Sequence, residues 1–308
     1  MSIEFGQWKT LPALPIARSH PAVVSYKNKI YVFGGGGPNF LSLDSSYVFD
    51  PAVAQWQDLP AMPSKRSGTA AFVVDDKIYV LGGGFKKPDG NFQFLTTVEV
   101  FDPNNETWET SVSLLQPHDY PAAAFMDGYI YILGGHHPKA CLGGPKTDPG
   151  FDFCERWRPG ETSWQTLAAL PTPRFAAAAF VHEARIMVSG GVAFTPEGFN
   201  NFDFFETYSS QNNQWIKDPR FKLPWPAAGH GLWNTGEHVL FFGGYSTDNI
   251  HARAIAFSYA TGEWLAIPDM PLPRAAMGYT QIEQTLYLVG GWADDGRTPL
   301  DSVVAYEW

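Results

Sequence analysis

Six times along the chain an apolar run leads straight into a pair of glycines. The runs are IYVF before Gly34–Gly35, IYVL before Gly82–Gly83, IYIL before Gly134–Gly135, IMVS before Gly190–Gly191, VLFF before Gly243–Gly244 and LYLV before Gly290–Gly291. Successive pairs lie 48, 52, 56, 53 and 47 residues apart. Each run reads as an apolar strand, and a period near fifty with one such strand per unit predicts a radial array of small sheets.

The second unit shows how one sheet is written. Residues 68–74 form a first strand rich in small residues, as suits a strand crowded near a central axis. Asp75-Asp76 turns the chain into KIYVLGG, a long loop follows, and TVEVFD makes a third strand. Asn104-Asn105 supplies the next turn and Trp108 opens a fourth strand. Trp8, Trp56, Trp164, Trp215 and Trp264 hold the same place in the other units. Seven residues before the last five of these six Trp sit Phe49, Phe101, Trp157, Tyr208 and Phe257, and Tyr306 takes that place in the final unit. These aromatics are expected to pack between sheets.

An apolar run, a Gly pair, an aromatic and a Trp in register resemble the Kelch repeat, over essentially the whole chain. The resemblance implies an all-β, six-bladed Kelch-type β-propeller with four-stranded antiparallel blades, a single domain over residues 1–308. The chain opens on a fourth strand (EFGQWKTL) and stops after a third (DSVVAYEW). The N-terminal strand is therefore expected to complete the last blade and close the ring, removing a sheet edge.

Spacing separates the rigid from the free. An Arg precedes the first Gly of the pair by 16 residues at Arg18, Arg66, Arg174 and Arg274, with His118 and Ala227 in the two remaining units. The segment from second Gly to aromatic runs 14, 18, 22, 17, 13 and 15 residues and holds nearly all the length variation. In an up-and-down blade this loop and the inter-blade connection emerge on one face, which is the expected site.

That face carries chemistry of two kinds. The residue after each Gly pair is Gly36, Gly84, His136, Val192, Tyr245 or Trp292, and the loops add Phe40, Phe85, Phe92, Phe94, His137, Phe194, Phe199 and Phe202. With Arg18, Arg66, His118, Arg174 and Arg274 around the mouth, the expected ligand bears a carboxylate. The competing reading has these Arg hydrogen-bonding backbone carbonyls of the neighbouring blade. On the first reading, Arg66→Ala with Arg174→Ala weakens binding without unfolding the ring.

Composition narrows the partners. Net charge is −10 with no block of Lys and Arg, which argues against nucleic acid. The N-terminus lacks the features of a signal peptide and no apolar run approaches a membrane span, so a soluble, cytoplasmic, monomeric protein is expected. Cys141 and Cys154 are expected as reduced thiols. His136, His137, Cys141, Cys154, Asp148 and Asp152 cluster in the longest loop. They lack the paired spacing of a zinc site, and no metal or cofactor is expected.

Two functions follow from the resemblance. The first is a binding scaffold for a protein or peptide, with an acidic segment seated over the Arg-lined mouth. The chain shows none of the helical BTB, BACK or F-box segments that join many Kelch proteins to ubiquitin ligases. The second is a sugar-acid enzyme of the N-acetylneuraminate mutarotase type. One of the four Arg would hold the sugar carboxylate, and Glu197, Asp203 or Glu206 would serve as acid/base group. Patterns of copper radical oxidases, plant specifier proteins and sialidases are absent.

Overall fold

A computed structural model describes residues 6–142, 149–195, 198–246 and 249–308. Short strands meander outward from a central axis, so that each fifty-residue unit makes one blade. The first is Ala22–Tyr26, Lys29–Phe33, Ser46–Asp50 and Gln55–Leu59, paired in sequence order. Blades two to five begin at Ser67–Val74, Ala122–Met126, Ala178–His182 and Gly231–Asn234, and each repeats the four-stranded antiparallel order, to which the second blade adds a short strand, Phe92–Phe94, paired with the end of its second strand.

The sixth blade takes three strands from the end of the chain, Gly278–Ile282, Thr285–Val289 and Val303–Glu307. Its outer strand is Gln7–Leu11, with Gln7 opposite Glu307 and Leu11 opposite Val303. Trp8 lands on Tyr306 with ring centroids 4.7 Å apart and meets Phe242 of the fifth blade edge-on at 5.6 Å.

The seven-residue interval between aromatic and Trp is a register. Phe49 lies opposite Trp56, Phe101 opposite Trp108, Tyr208 opposite Trp215 and Phe257 opposite Trp264. Their ring centroids are 4.9, 5.0, 5.1 and 5.1 Å apart. Such cross-strand aromatic pairs add about 0.5–1.5 kcal/mol beyond the apolar area they bury. The indoles also tie neighbours together. Trp8 donates to Pro268 O, Trp56 to Pro12 O, Trp108 to Pro60 O, Trp164 to Val112 O and Trp215 to Ala168 O, at 2.9–3.0 Å.

The glycine pair has a distinct mechanical reason. The second glycine of each pair donates its N–H to the carbonyl at the Arg position of the following blade, as in Gly35 to Arg66 O at 2.8 Å and Gly291 to Arg18 O at 2.8 Å. That approach leaves no room at the first glycine. A Cβ on Gly34 would stand 2.4 Å from Arg66 O, at a left-handed φ of +57°. Because the bond uses the main chain, it persists where the side chain differs: Gly191 donates to Ala227 O at 2.8 Å.

Candidate functional site

The residue after each Arg position and the residue after each Gly pair meet across a short bridge. The pairs are Ser19 with Gly36, Asp119 with His136, Phe175 with Val192, Ala228 with Tyr245 and Ala275 with Trp292, and Ser67 pairs with Gly84. The variable loops and the inter-blade connections thus share one face, and His136, Tyr245 and Trp292 are brought together around its mouth.

One residue further along, the six connections close a ring of main-chain hydrogen bonds around the axis. His20 N donates to Ala276 O, Gly68 N to His20 O, Tyr120 N to Gly68 O, Ala176 N to Tyr120 O, Gly229 N to Ala176 O and Ala276 N to Gly229 O, at 2.7–3.1 Å. All six take a left-handed conformation, with φ between 52° and 68°. For a residue other than glycine that conformation costs about 1–2 kcal/mol, and the closed ring holds it in place.

Four of the six ring positions are Gly or Ala, and the other two are His20 and Tyr120. Their rings meet edge-on at 4.5 Å, and His20 meets Trp292 edge-on at 4.4 Å. The Tyr120 hydroxyl reaches past Ala176 to Gly229, two positions around the ring, where a Cβ would stand 2.8 Å from it. Burial, aided by the nearby His136, pushes the His20 imidazole down to about 3, so it is neutral at physiological pH. Burial likewise lifts the Tyr120 phenol well above its usual range.

This ring divides the interior. Below it runs a channel of about 480 Å³ between the first strands, lined by small side chains such as Ala71, Ala123 and Ala179. Above it opens a mouth cavity of about 450 Å³ walled by Tyr120, His136, Phe175, Phe199, Tyr245 and Trp292, with Asp294 and Asp295 on its rim. His136 is stacked on Phe175 at 3.6 Å, and its Nδ1 lies 2.7 Å from Asp119 Oδ2. Phe199 packs on Tyr245 at 6.2 Å.

The arginine series lies elsewhere. Arg18, Arg66, His118, Arg174 and Arg274 are 0–1% exposed, beneath the mouth surface. The guanidinium Nη1 of each Arg donates to the first glycine of its own blade, at Gly34, Gly82, Gly190 and Gly290, over 2.8–3.2 Å. His118 Nδ1 reaches Gly134 O at 2.6 Å in the same place. The expectation of an Arg-lined mouth is thereby corrected, and so is the view that the carbonyls are the neighbour's. The side chain holds its own blade, while the main chain at the same residue holds the preceding one.

Carboxylates complete three of these sites. Arg66 Nη2 lies 3.1 Å from Glu99, Arg174 Nη2 3.0 Å from Glu206 and His118 Nε2 3.1 Å from Glu155, with every side chain 0–2% exposed. Arg18 and Arg274 use Ser45 and Ser302 instead. Desolvation lowers Arg18, Arg174 and Arg274 to about 10, still charged at neutral pH.

Of the acid/base candidates, Asp203 and Glu206 do not enter the cavity wall. Glu206 is buried against Arg174 and accepts from Thr172 Oγ1 at 2.7 Å, and Asp203 pairs with Lys222 at 3.0 Å. Glu197 and Asp148 lie outside the described residues. His137 turns away from His136, its Nδ1 accepting from the Lys139 amide at 3.0 Å. Cys154 is a buried free thiol, pushed up to about 12 by desolvation. Among the described residues no three His, Cys, Asp or Glu side chains converge on a metal position. Of the loop aromatics, Phe202 packs over the Arg174 guanidinium, whereas Phe40 and Phe92 remain exposed.

Sequence reasoning missed His20 and Tyr120. The signal was present: two residues after the Arg position the units read His, Gly, Tyr, Ala, Gly and Ala. Two large polar rings interrupt a series otherwise confined to the smallest side chains.

The blades, the Gly-pair contacts and the Trp register define a Kelch propeller. Residues 2–145 match the family model for the KLHDC2/KLHL20/DRC7 Kelch-repeats domain. Beta-scruin of Limulus polyphemus is 25% identical over 62% of this chain and 20% of its own length. Kelch-like protein 25 of Xenopus tropicalis is 23% identical over 63% and 32%, and Kelch-like protein terF of Aspergillus terreus 24% over 67% and 46%. The chain thus spans less than half the length of these relatives. The solved structure of YjhT superposes with a TM-score of 0.81 over 95% of both chains at 16% identity, which shows the fold. The chain is thus a six-bladed β-propeller whose sequence is similar to Kelch-repeat proteins.

Proposed function

We propose that this propeller is a binding module that seats a segment of a protein partner in its mouth, with His20, Tyr120, His136, Tyr245 and Trp292 as contact residues. The observation that carries the reading is the cavity of about 450 Å³, aromatic on its walls, floored by the amide ring and opening on the face where the loops vary in length. Aromatic rings on a rigid floor supply contact area at low entropic cost, the usual anchor of a protein interface. The Kelch resemblance supports the same reading, and a monomer suffices because one chain provides every wall.

The sugar-acid enzyme fits this geometry less well. It needs an arginine in the cavity to hold a carboxylate, and the described cavity wall contains none. The repeated arginines are committed to glycine carbonyls.

Selection of a random-peptide display library on the purified chain tests the proposal. Recovered peptides are expected to lose about tenfold or more in affinity for Trp292→Leu and for Tyr120→Ala. They should bind Asn104→Ala, on the opposite face, as tightly as the parent chain. Peptides indifferent to both mouth variants, with the variants folded by circular dichroism, would overturn the assignment.

A further inference from the structure

The mouth has a charge character that its repeated framework does not share. Tyr120, Phe175, Phe199, Tyr245 and Trp292 offer aromatic surface, and the only formal charges contributed by Asp, Glu, Lys or Arg in the described wall are the carboxylates of Asp294 and Asp295. Asp295 is built to stay ionised. It accepts from the amides of Arg297 and Thr298 at 2.8 Å each and from the Thr298 hydroxyl. These bonds hold its carboxyl down at about 2. The Arg297 side chain is exposed and is not part of the wall. A third carboxylate, Asp119, stands behind His136 and is only 15% exposed.

Aromatic faces carry negative quadrupoles, and carboxylates on a rim add to the same field. An anion entering this cavity meets repulsion from the rim, while the buried guanidiniums beneath are occupied by carbonyls and glutamates. A cation meets attraction from both sources. His20 is held neutral at the floor, so it adds no opposing charge.

Resting on the binding reading above, we propose that the mouth receives a cationic side chain of the partner segment, an arginine, a lysine or a methylated lysine, with Trp292 and Tyr245 against its charge and Asp294 and Asp295 at the entrance. The occupant is therefore a basic segment, opposite in sign to the acidic one that an Arg-lined mouth would select. The net charge of −10 steers the same class of partner over longer range.

Three labelled peptides, acetyl-Gly-Ser-X-Ser-Gly-amide with X as arginine, trimethyllysine or glutamate, test the proposal by fluorescence anisotropy on the full chain. The arginine and trimethyllysine peptides are expected to bind at least about tenfold more tightly than the glutamate peptide. Asp294→Asn with Asp295→Asn should weaken the cationic peptides by about fivefold and flatten their dependence on salt. Asp294→Asn alone, at an exposed position outside the Asp295 turn, should give part of that loss with the melting temperature unchanged.

Equal or tighter binding of the glutamate peptide, undetectable binding of all three, or an unchanged affinity in the double variant would overturn the charge assignment. The two proposals fail separately. If library-selected peptides need Trp292 yet are neutral or acidic, the binding module stands and the cationic occupant falls. If they ignore Trp292 and Tyr120, both fall.

Discussion

Two layers of this propeller lie only two residues apart in each repeat, and they behave as opposites. At the lower layer the units read Arg, Arg, His, Arg, Ala and Arg, and the side chains are buried against glycine carbonyls. At the upper layer they read His, Gly, Tyr, Ala, Gly and Ala, and the two large rings face the mouth. Repetition at the lower layer reflects a mechanical task that recurs six times around a ring. At the upper layer the same task is done by the main chain alone, through the closed circle of amides. The side chains there are free to differ, and the difference concentrates on one cavity. Within a repeat protein, a repeated charge therefore argues for scaffold and an interruption of small residues argues for a site.

The comparison breaks most severely if the ring itself opens. Deletion of residues 1–11 removes the Gln7–Leu11 strand and Trp8 and leaves Val303–Glu307 as an unpaired edge. Loss of a large packed aromatic alone costs about 3–5 kcal/mol, and the lost ladder adds to it. The thermal midpoint should fall by about 10 °C or more. A melt that superposes on that of the parent chain would contradict closure by this strand.

Within the lower layer, the arginines should divide by partner. Arg66→Ala strands Glu99 in a site where both side chains are 0–2% exposed, and removing one member of a buried ion pair costs about 3–5 kcal/mol. Arg18→Ala strands only carbonyls and the Ser45 hydroxyl, a cost of about 1–3 kcal/mol. Denaturant unfolding of the two variants should show the larger loss for Arg66. This reverses the sequence-based expectation that Arg66→Ala with Arg174→Ala spares the ring. Full stability in either single variant would return the arginines to the list of binding residues.

The smallest effect belongs to the fifth blade, where Ala227 replaces the arginine and His230 is buried nearby with Nε2 3.0 Å from Ser189 Oγ. Desolvation lowers His230 to about 4, against 6.5 in its ordinary state. The unfolded chain therefore binds the extra proton between those values. Stability is complete above about pH 6.5 and declines as pH falls toward about 4. At about pH 5.5 this one group accounts for about 1 kcal/mol. Unfolding of the parent chain and of His230→Gln at about pH 7.5 and about pH 5.5 isolates it. An equal acid loss in both proteins would remove His230 as the cause.

The fold was legible because its constraints are local and periodic. The Gly pair, the aromatic–Trp interval and the strand alternation each follow from contacts made identically in every blade. The face of the variable loops was legible for the same reason, since strand direction alone determines which connections emerge together. His136, Tyr245 and Trp292 could be placed there by counting from the glycines. The fate of the arginines was not legible, because burial depends on how deeply a connection sinks between blades. Glu99, Glu155 and Glu206, their partners, sit on third strands whose offset from the Arg changes with loop length. Nor could spacing say that the connections close into a ring, since that bond pattern joins residues from six different units. His20 and Tyr120 were visible as letters and unreadable as a site until that ring gave them a common floor.

The most direct test sets the two layers against each other in one titration. Peptides recovered from the display library are titrated into Trp292→Leu and into Arg18→Ala, with denaturant midpoints recorded on the same preparations. The account predicts that Trp292→Leu loses about tenfold or more in affinity at a nearly parental midpoint, while Arg18→Ala keeps the parental affinity at a lowered midpoint. The reverse result, binding lost with Arg18 and kept without Trp292, would contradict it.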